Sequence, residues 1–217
     1  MLWILNIGAQ WHMHPQSYPN YKTVHRRFQQ WCQSEMICAA LTELANVLRE
    51  EGSIDETECN IDVTFASAKG GGDEIWPTRR EKGVEIVAIV NRYGLPLAVT
   101  THAANHYAVA LMQRTFDFYM IEAKTENLIS DKSYEGDQLD ATMRAQGAEM
   151  ISPHCSNKKR KTQDGRRLPG YERRWFVERF FAWIQWQRRF LVRWEYYPTN
   201  FLSFVQLAAL CILLKRF

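Results

Sequence analysis

The chain contains no CxxC pair. Its five cysteines, Cys32, Cys38, Cys59, Cys155 and Cys211, are odd in number and scattered, which argues against a disulfide framework or zinc knuckle and for a reducing compartment such as the cytoplasm. Long apolar runs are equally scarce. The start, MLWILNIGAQW, lacks the basic beginning and extended apolar core of a secretion signal. The run Val205 to Leu214 is broken by Gln206 and is too short to span a bilayer, so a buried C-terminal helix from about Thr199 is expected, and no membrane partner. KGGGD at 69–73 is not followed by GK[ST]; it is expected to be a mobile loop rather than a phosphate cradle. Acids are missing from one region above all. Between Lys158 and Arg193 twelve Lys or Arg face three Asp or Glu, a net +9, and the whole chain carries only +3. The remainder is therefore acidic, and the concentrated positive charge fits a surface for a polyanion.

What is present is enough for a full core, with 217 residues of which 46% are hydrophobic. Residues 1–52 read as a helical N-terminal region. Tyr21, Val24, Phe28 and Trp31 recur at helical spacing with Lys22, His25, Arg26 and Arg27 interleaved, and Ile37, Leu41, Leu44 and Leu48 follow Ser34, a candidate N-cap. This pair suits either a DNA-touching unit, with Arg26 and Arg27 on phosphate, or a cap on the main domain. The main domain is expected over 57–217. From Cys59 the period changes to two, and strands are expected through Phe65, at Val84–Val90 and at Leu95–Thr100, with a Tyr93-Gly94 hairpin turn between the last two. Helix at 103–118, strand at 127–130, helix at 136–146, strand at 149–152 and a helix from about 173 complete an α/β layout with a mixed sheet.

The stretch RRWFVERFFAWIQWQRR, residues 173–189, has five arginines, six large aromatics and one carboxylate, Glu178. At 100° per residue Phe176, Val177, Phe180, Trp183 and Ile184 form an apolar stripe, and Glu178 lies opposite it with Tyr171, Arg174, Ala182, Gln185 and Arg189. An Arg174–Glu178 surface pair would explain the acid without function. Two other acids stand in unusual places. Asp62 lies inside a strand, where aspartate is disfavoured, and Asp131 ends the strand-like LISD, where open α/β sheets gather ligands. Each has a plain structural alternative, an edge strand for Asp62 and a helix cap for Asp131. Three carboxylates on such elements could hold Mg²⁺, which takes oxygen ligands, and two such ions can drive phosphodiester cleavage. His102 and His106 straddle a strand-to-helix junction and make a poor zinc pair.

Five blocks, GAQWHMHPQSYPNYKTVHRRFQQW, IDVTFASAKGGG, GLPLAVTTHAANHY, LISDKSYEGDQL and RRWFVERFFAW, resemble the DDE transposases of bacterial insertion sequences, specifically the insertion-sequence-five (insertion-sequence-four-like) family. The resemblance implies an RNase H-like fold in which Asp62, Asp131 and Glu178 are catalytic and bind two Mg²⁺ ions, with Mn²⁺ able to substitute. It also implies double-stranded DNA partners (element ends and target), a homo-oligomer on DNA, and a location in the bacterial cytoplasm at the nucleoid. Tyr171, Arg174 and Glu178 match the superfamily signature Y-x2-R-x3-E-x6-K, but Gln185 stands at the lysine position, with Arg188 and Arg189 a turn further on as substitutes. Tyr171, Arg174, Arg188, Arg189 and the run Lys158, Lys159, Arg160 and Lys161 are the expected DNA contacts. The family has an acid after the histidine that matches His106, where this chain has Tyr107. MLWIL already lies inside the family-like block, so a further segment upstream is expected. A silent transposase-derived DNA-binding protein or regulator is the alternative.

Overall fold

The computed structural model describes residues 1–79, 81–105, 108–120, 125–154, 168 and 170–216. Lys158, Lys159, Arg160, Lys161, His106 and Tyr107 fall outside them. The chain opens with α1 (Leu2–Ile7), α2 (Tyr21–Gln33) and α3 (Met36–Glu50). Ser34 closes α2 rather than opening α3, because its own N–H bonds back to Gln30 and Glu35 then takes a left-handed φ of 52° to restart the helix. Phe28, Leu41 and Leu48 of this pair are fully buried and share one core with the rest of the chain. Lys22, Arg26 and Arg27 stay exposed on the outer side of α2.

A seven-stranded mixed sheet follows, counted among the described residues. Its centre is β1 (Glu58–Ala68), flanked on one side by antiparallel β3 (Lys82–Asn91), which in turn pairs with β4 (Pro96–Ala103) and, at its start, with the short β2 (Trp76–Pro77). Val84 and Ile86–Val90 are all buried, as a strand covered on both faces requires. The β3–β4 turn uses Gly94 at φ 81°, and the Asn91 side chain accepts from the amides of Tyr93 and Leu95. On the other side of β1, parallel β5 (Asn127–Ile129) pairs only with Glu58–Asn60, and parallel β7 (Val192–Arg193) only with Ser67–Ala68. β6 (Glu149–Ile151) extends the sheet beyond β5. Among the described residues, β1 from Ile61 to Ala66 therefore has no strand partner on that side, and Asp62 lies in this gap.

Helices cover both faces. Strand alternation puts Asp62 and Thr64 on one face and Val63 and Phe65 on the other. α4 (Ala108–Asp117) lies on the Val63 side, where Thr115 meets Thr100 of β4 at 2.7 Å. α6 (Trp175–Gln185) lies on the Asp62 side with Val177, Phe180, Phe181 and Ile184 buried, while α5 (Asp137–Ala145) packs by β6. α7 (Pro198–Leu213) continues into a tight turn, so the apolar C-terminal run belongs to a 19-residue helical segment, Pro198–Arg216, long and apolar enough by composition to cross a membrane. In this fold it is a core helix. Phe201, Phe204, Val205, Ala208 and Ala209 are buried, and it touches α2, α3, α6 and β4.

Two expectations are corrected here. KGGGD is not loose: Arg193 donates to the carbonyls of Asp73 at 2.8 Å and Tyr196 at 3.0 Å, and Gly72 sits so close to Tyr196 O that a Cβ would approach it to 2.3 Å. Arg189 is not a phosphate contact. It is 1% exposed, its guanidinium pairs with Glu195 and donates to Ala9 O at 2.7 Å. Helix α6 stops at Gln185 and the chain tightens into a 3-10 turn, Arg188–Phe190, which swings residue 189 off the polar face and into the core. Arg188 remains exposed. Beside the buried pair lies a cavity of about 490 Å³ walled by Trp11, Tyr21, His25, Trp194 and Tyr196. Removing one partner leaves a buried charge uncompensated, so Arg189→Met should cost about 3–5 kcal/mol in urea unfolding. Replacing Glu195 by Met as well should recover most of that loss.

Candidate functional site

Asp62 sits mid-strand with its side chain 17% exposed. Its Oδ1 accepts from the Val63 amide at 2.8 Å, an N–H at the unpaired stretch of β1. Its Oδ2 accepts from Arg174 Nη1 at 2.6 Å, and the same guanidinium donates through Nη2 to Glu178 Oε1 at 2.8 Å. One arginine thus joins a strand carboxylate to a helix carboxylate. The Arg174–Glu178 pair foreseen as a surface feature does form, but it is half of a bridge into the sheet. Asp131 follows β5 and caps a 3-10 turn, Lys132–Tyr134, accepting from the Ser133 amide at 2.9 Å and from the Ser133 hydroxyl. Its charge acts on Asp62. The structure therefore brings Asp62 close to both Asp131 and Glu178.

The position of Glu178 is set by two pins on α6. At its start Arg173 forks onto Glu58 at the head of β1, with Nε to Oε1 at 2.7 Å, and Gly170 at φ 70° lies so close that a Cβ would meet Glu58 Oε2 at 2.7 Å. One residue past Glu178, Arg179 donates to the Tyr93 carbonyl in the β3–β4 turn. Its guanidinium lies 4.7 Å from the rings of Trp175, Phe176 and Trp183. Glu178 itself is 58% exposed, so the pins hold its backbone while its side chain remains free to turn. Gln185, at the family's lysine position, reaches Thr64 Oγ1 at 3.4 Å. Tyr171 is half-buried in the turn before α6. His102 lies within 2.9 Å of Thr100 Oγ1.

Burial is the main force on the Asp62 carboxyl and pushes its pKa up. The Val63 amide and Arg174 pull it back, and Asp131 pushes it up further. Burial also opposes the charge on Arg174, but the Asp62 carboxylate, then Glu178, outweigh it and raise the guanidinium pKa. Among the described residues no three His, Cys, Asp or Glu groups close up as a ready metal site. The donor chemistry nevertheless fits a hard divalent ion: the groups are carboxylate oxygens, two of them mutually repelling, and a cationic guanidinium already balances two. Sequence reasoning missed Glu58 and Tyr134. Glu58 gave no signal because its partner Arg173 lies far along the chain. Tyr134 stood in the quoted LISDKSY block, but a tyrosine there reads as core.

A mixed sheet whose central β1 pairs antiparallel with β3 and parallel with β5, with helices on both faces, is RNase H-like. The chain belongs to the transposase DDE domain family, whose model matches residues 55–214. Among solved structures it is similar to a piggyBac transposase seen by cryo-EM in a synaptic complex with hairpin DNA. The TM-score is 0.51 and the identity 8%, over 72% of this chain. The chain spans about half the length of that transposase, 46%. No curated protein matches it.

The raised Asp62 pKa fixes a sign. In the unfolded chain Asp62 ionises in the ordinary carboxylate range, about pH 4; folded, it does so higher. Between those two values the folded state binds more protons, so stability falls as pH rises through that window and stays lowered above it. Asp62→Asn should therefore raise the melting temperature of chelator-treated protein at pH 7. The gain should vanish below about pH 4, as thermal scans across pH would show.

Proposed function

We propose that the chain is an insertion-sequence transposase of the insertion-sequence-five type, cutting DNA at element ends and joining the freed 3′-hydroxyl to target DNA. The observation that carries this reading is the Arg174 guanidinium shared between Asp62 and Glu178, with the charge of Asp131 acting on Asp62. Asp62, Asp131 and Glu178 are the catalytic carboxylates and would hold the divalent ions, two Mg²⁺, replaceable by Mn²⁺. When bound, these supply Lewis-acid stabilisation of the attacking and leaving oxygens of an in-line phosphoryl transfer. The chain's own task is positioning and charge balance. Asp62 and Asp131 offer fixed oxygens from the sheet, and Glu178 offers a mobile one from a pinned helix. Arg174, which here balances Asp62 and Glu178, would face the phosphate with Tyr171 near it, and exposed Arg188 would meet DNA past the far end of α6.

The basic run Lys158, Lys159, Arg160 and Lys161, together with Arg26 and Arg27 on α2, would grip the double-stranded DNA backbone, giving affinity without sequence choice. Residues 1–52 are proposed as an end-binding region and 57–217 as the catalytic domain. The protein would work as a homo-oligomer on DNA in the bacterial cytoplasm, at the nucleoid. The alternative is a silent DNA-binding regulator of transposase descent.

Cleavage of DNA carrying the native flanking repeats decides between the two. Glu178→Gln should cut Mg²⁺-dependent cleavage by orders of magnitude while DNA binding in a metal-free gel shift persists. Asp62→Asn and Asp131→Asn should match it, and a double variant should be hardly worse than either single, since the three act as a unit. Cleavage at the wild-type rate by Glu178→Gln, or none by the wild type, would leave the regulator. Replacing Lys158, Lys159, Arg160 and Lys161 by alanine should flatten the log-log salt dependence of DNA affinity by roughly 0.9 for each phosphate no longer neutralised. An unchanged slope would remove that run from the interface.

A further inference from the structure

Close to the carboxylates is a buried hydroxyl that no described group satisfies. Tyr134 closes the turn that Asp131 caps; it is 0% exposed, and its hydroxyl has no hydrogen-bond partner among the described residues. The charges that act on it are Asp62 first, then Asp131 and Glu85, with Arg174 opposing them. Among the described residues no strand pairs with the edge of β1 between Ile61 and Ala66 on the side of β5 and β7. A carboxylate accepts about four hydrogen bonds in total, and Asp62 uses one on each oxygen, to Val63 and Arg174. A buried donor next to acceptors with spare capacity is where proteins hold an internal water.

Glu85 is the competing partner, since its Oε2 is also buried and, among the described residues, without a hydrogen bond. It lies opposite Phe65 in the β1–β3 register, on the face that α4 covers, and the Tyr134 turn touches α4, so the test must separate it from Asp62. Asp62 also acts on the hydroxyl more strongly than Glu85 does.

We propose that the Tyr134 hydroxyl donates through a buried water to the Asp62–Asp131 pair and fixes these carboxylates for a divalent ion. Tyr134 is then a positioning residue, acting through Asp62 rather than on substrate. The inference rests on the reading of Asp62 as an ion ligand. Groups that orient metal ligands typically carry a 10- to 100-fold share of metal affinity, and a tyrosine hydroxyl is removed by Phe with little change of shape.

The test is Mn²⁺ binding to the DNA-free full chain, followed by the electron paramagnetic resonance signal of free Mn²⁺, with melting temperatures taken in chelator. Tyr134→Phe should weaken Mn²⁺ binding about 10-fold or more and lower the melting temperature, because a bonded hydroxyl has been removed. Glu85→Met should leave Mn²⁺ affinity unchanged. A higher melting temperature for Tyr134→Phe would mark the hydroxyl as a mere orphan and overturn the proposal. A lower one with unchanged Mn²⁺ affinity would make it structural only and overturn it equally. Equal weakening by Glu85→Met would make Glu85 the hydroxyl's partner, again against the proposal. Wild-type protein that binds no Mn²⁺ would sink the ligand reading and this inference together, whereas tight binding by both wild type and Tyr134→Phe would sink this inference alone.

Discussion

Everything in the site depends on the interrupted pairing of one edge of β1. Asp62 stands on the stretch of β1 that, among the described residues, is laddered along one edge only. Here β5 departs after Asn60 and β7 arrives only at Ser67, so the intervening stretch keeps the rigidity of its β3 ladder while, among the described residues, no strand pairs with its other edge. The ladder fixes the backbone beneath a carboxylate that leaves the sheet face toward Arg174. On the same stretch the Val63 amide donates to the Asp62 side chain at 2.8 Å. The strand's irregularity and its acid are one feature.

Holding α6 over this gap takes a set of arginines whose roles differ with their surroundings. Arg173 and Arg179 are tied down, one by a carboxylate fork and the other by aromatic faces and a carbonyl. They set the helix at both ends of the turn that bears Glu178. Arg189 and Arg193 are fully buried and fasten the chain after α6, the first to Glu195 and Ala9 O, the second to the backbone of the 70–74 loop and of Tyr196. Among the described arginines, Arg174 is the one bonded to Asp62 and Glu178. Planar, always charged and able to fork, the guanidinium suits all three tasks, which is why a cluster of arginines in sequence is a poor guide to which of them meet DNA.

That ambiguity marks the boundary of what was legible. The two-residue period of β1 and the 100° stripe of α6 follow from which side chains must be buried, and both elements lie where those patterns put them. Asp62 stood out because aspartate disfavours strands, and Glu178 because its face carries no other acid. Arg189 was misplaced because the helical period was carried four residues past the end of the helix, where a 3-10 turn changes the angle per residue. The gap in the sheet was not legible at all. It depends on β7, two residues long, pairing with a strand more than 120 residues earlier, and no local pattern encodes such a contact. KGGGD read as loose for the same reason: what fastens it is Arg193, an arginine 120 residues from Asp73.

The two arms of the Arg174 bridge are unequal, and the inequality bears on how the acids could meet a cation. The arm to Glu178 is an i,i+4 pair with the carboxylate more than half exposed, a type worth about 0.3–0.5 kcal/mol. The arm to Asp62 joins side chains 21% and 17% exposed, where screening by water is weaker and a partner is harder to give up. Glu178 can therefore leave Arg174 at almost no cost, while Asp62 keeps its neutralising charge until another replaces it. On the proposed reading, Glu178 would be free to turn toward a cation while Asp62 keeps its pairing with Arg174. The weak surface pair that explained Glu178 without function is, on these magnitudes, what leaves it available for one.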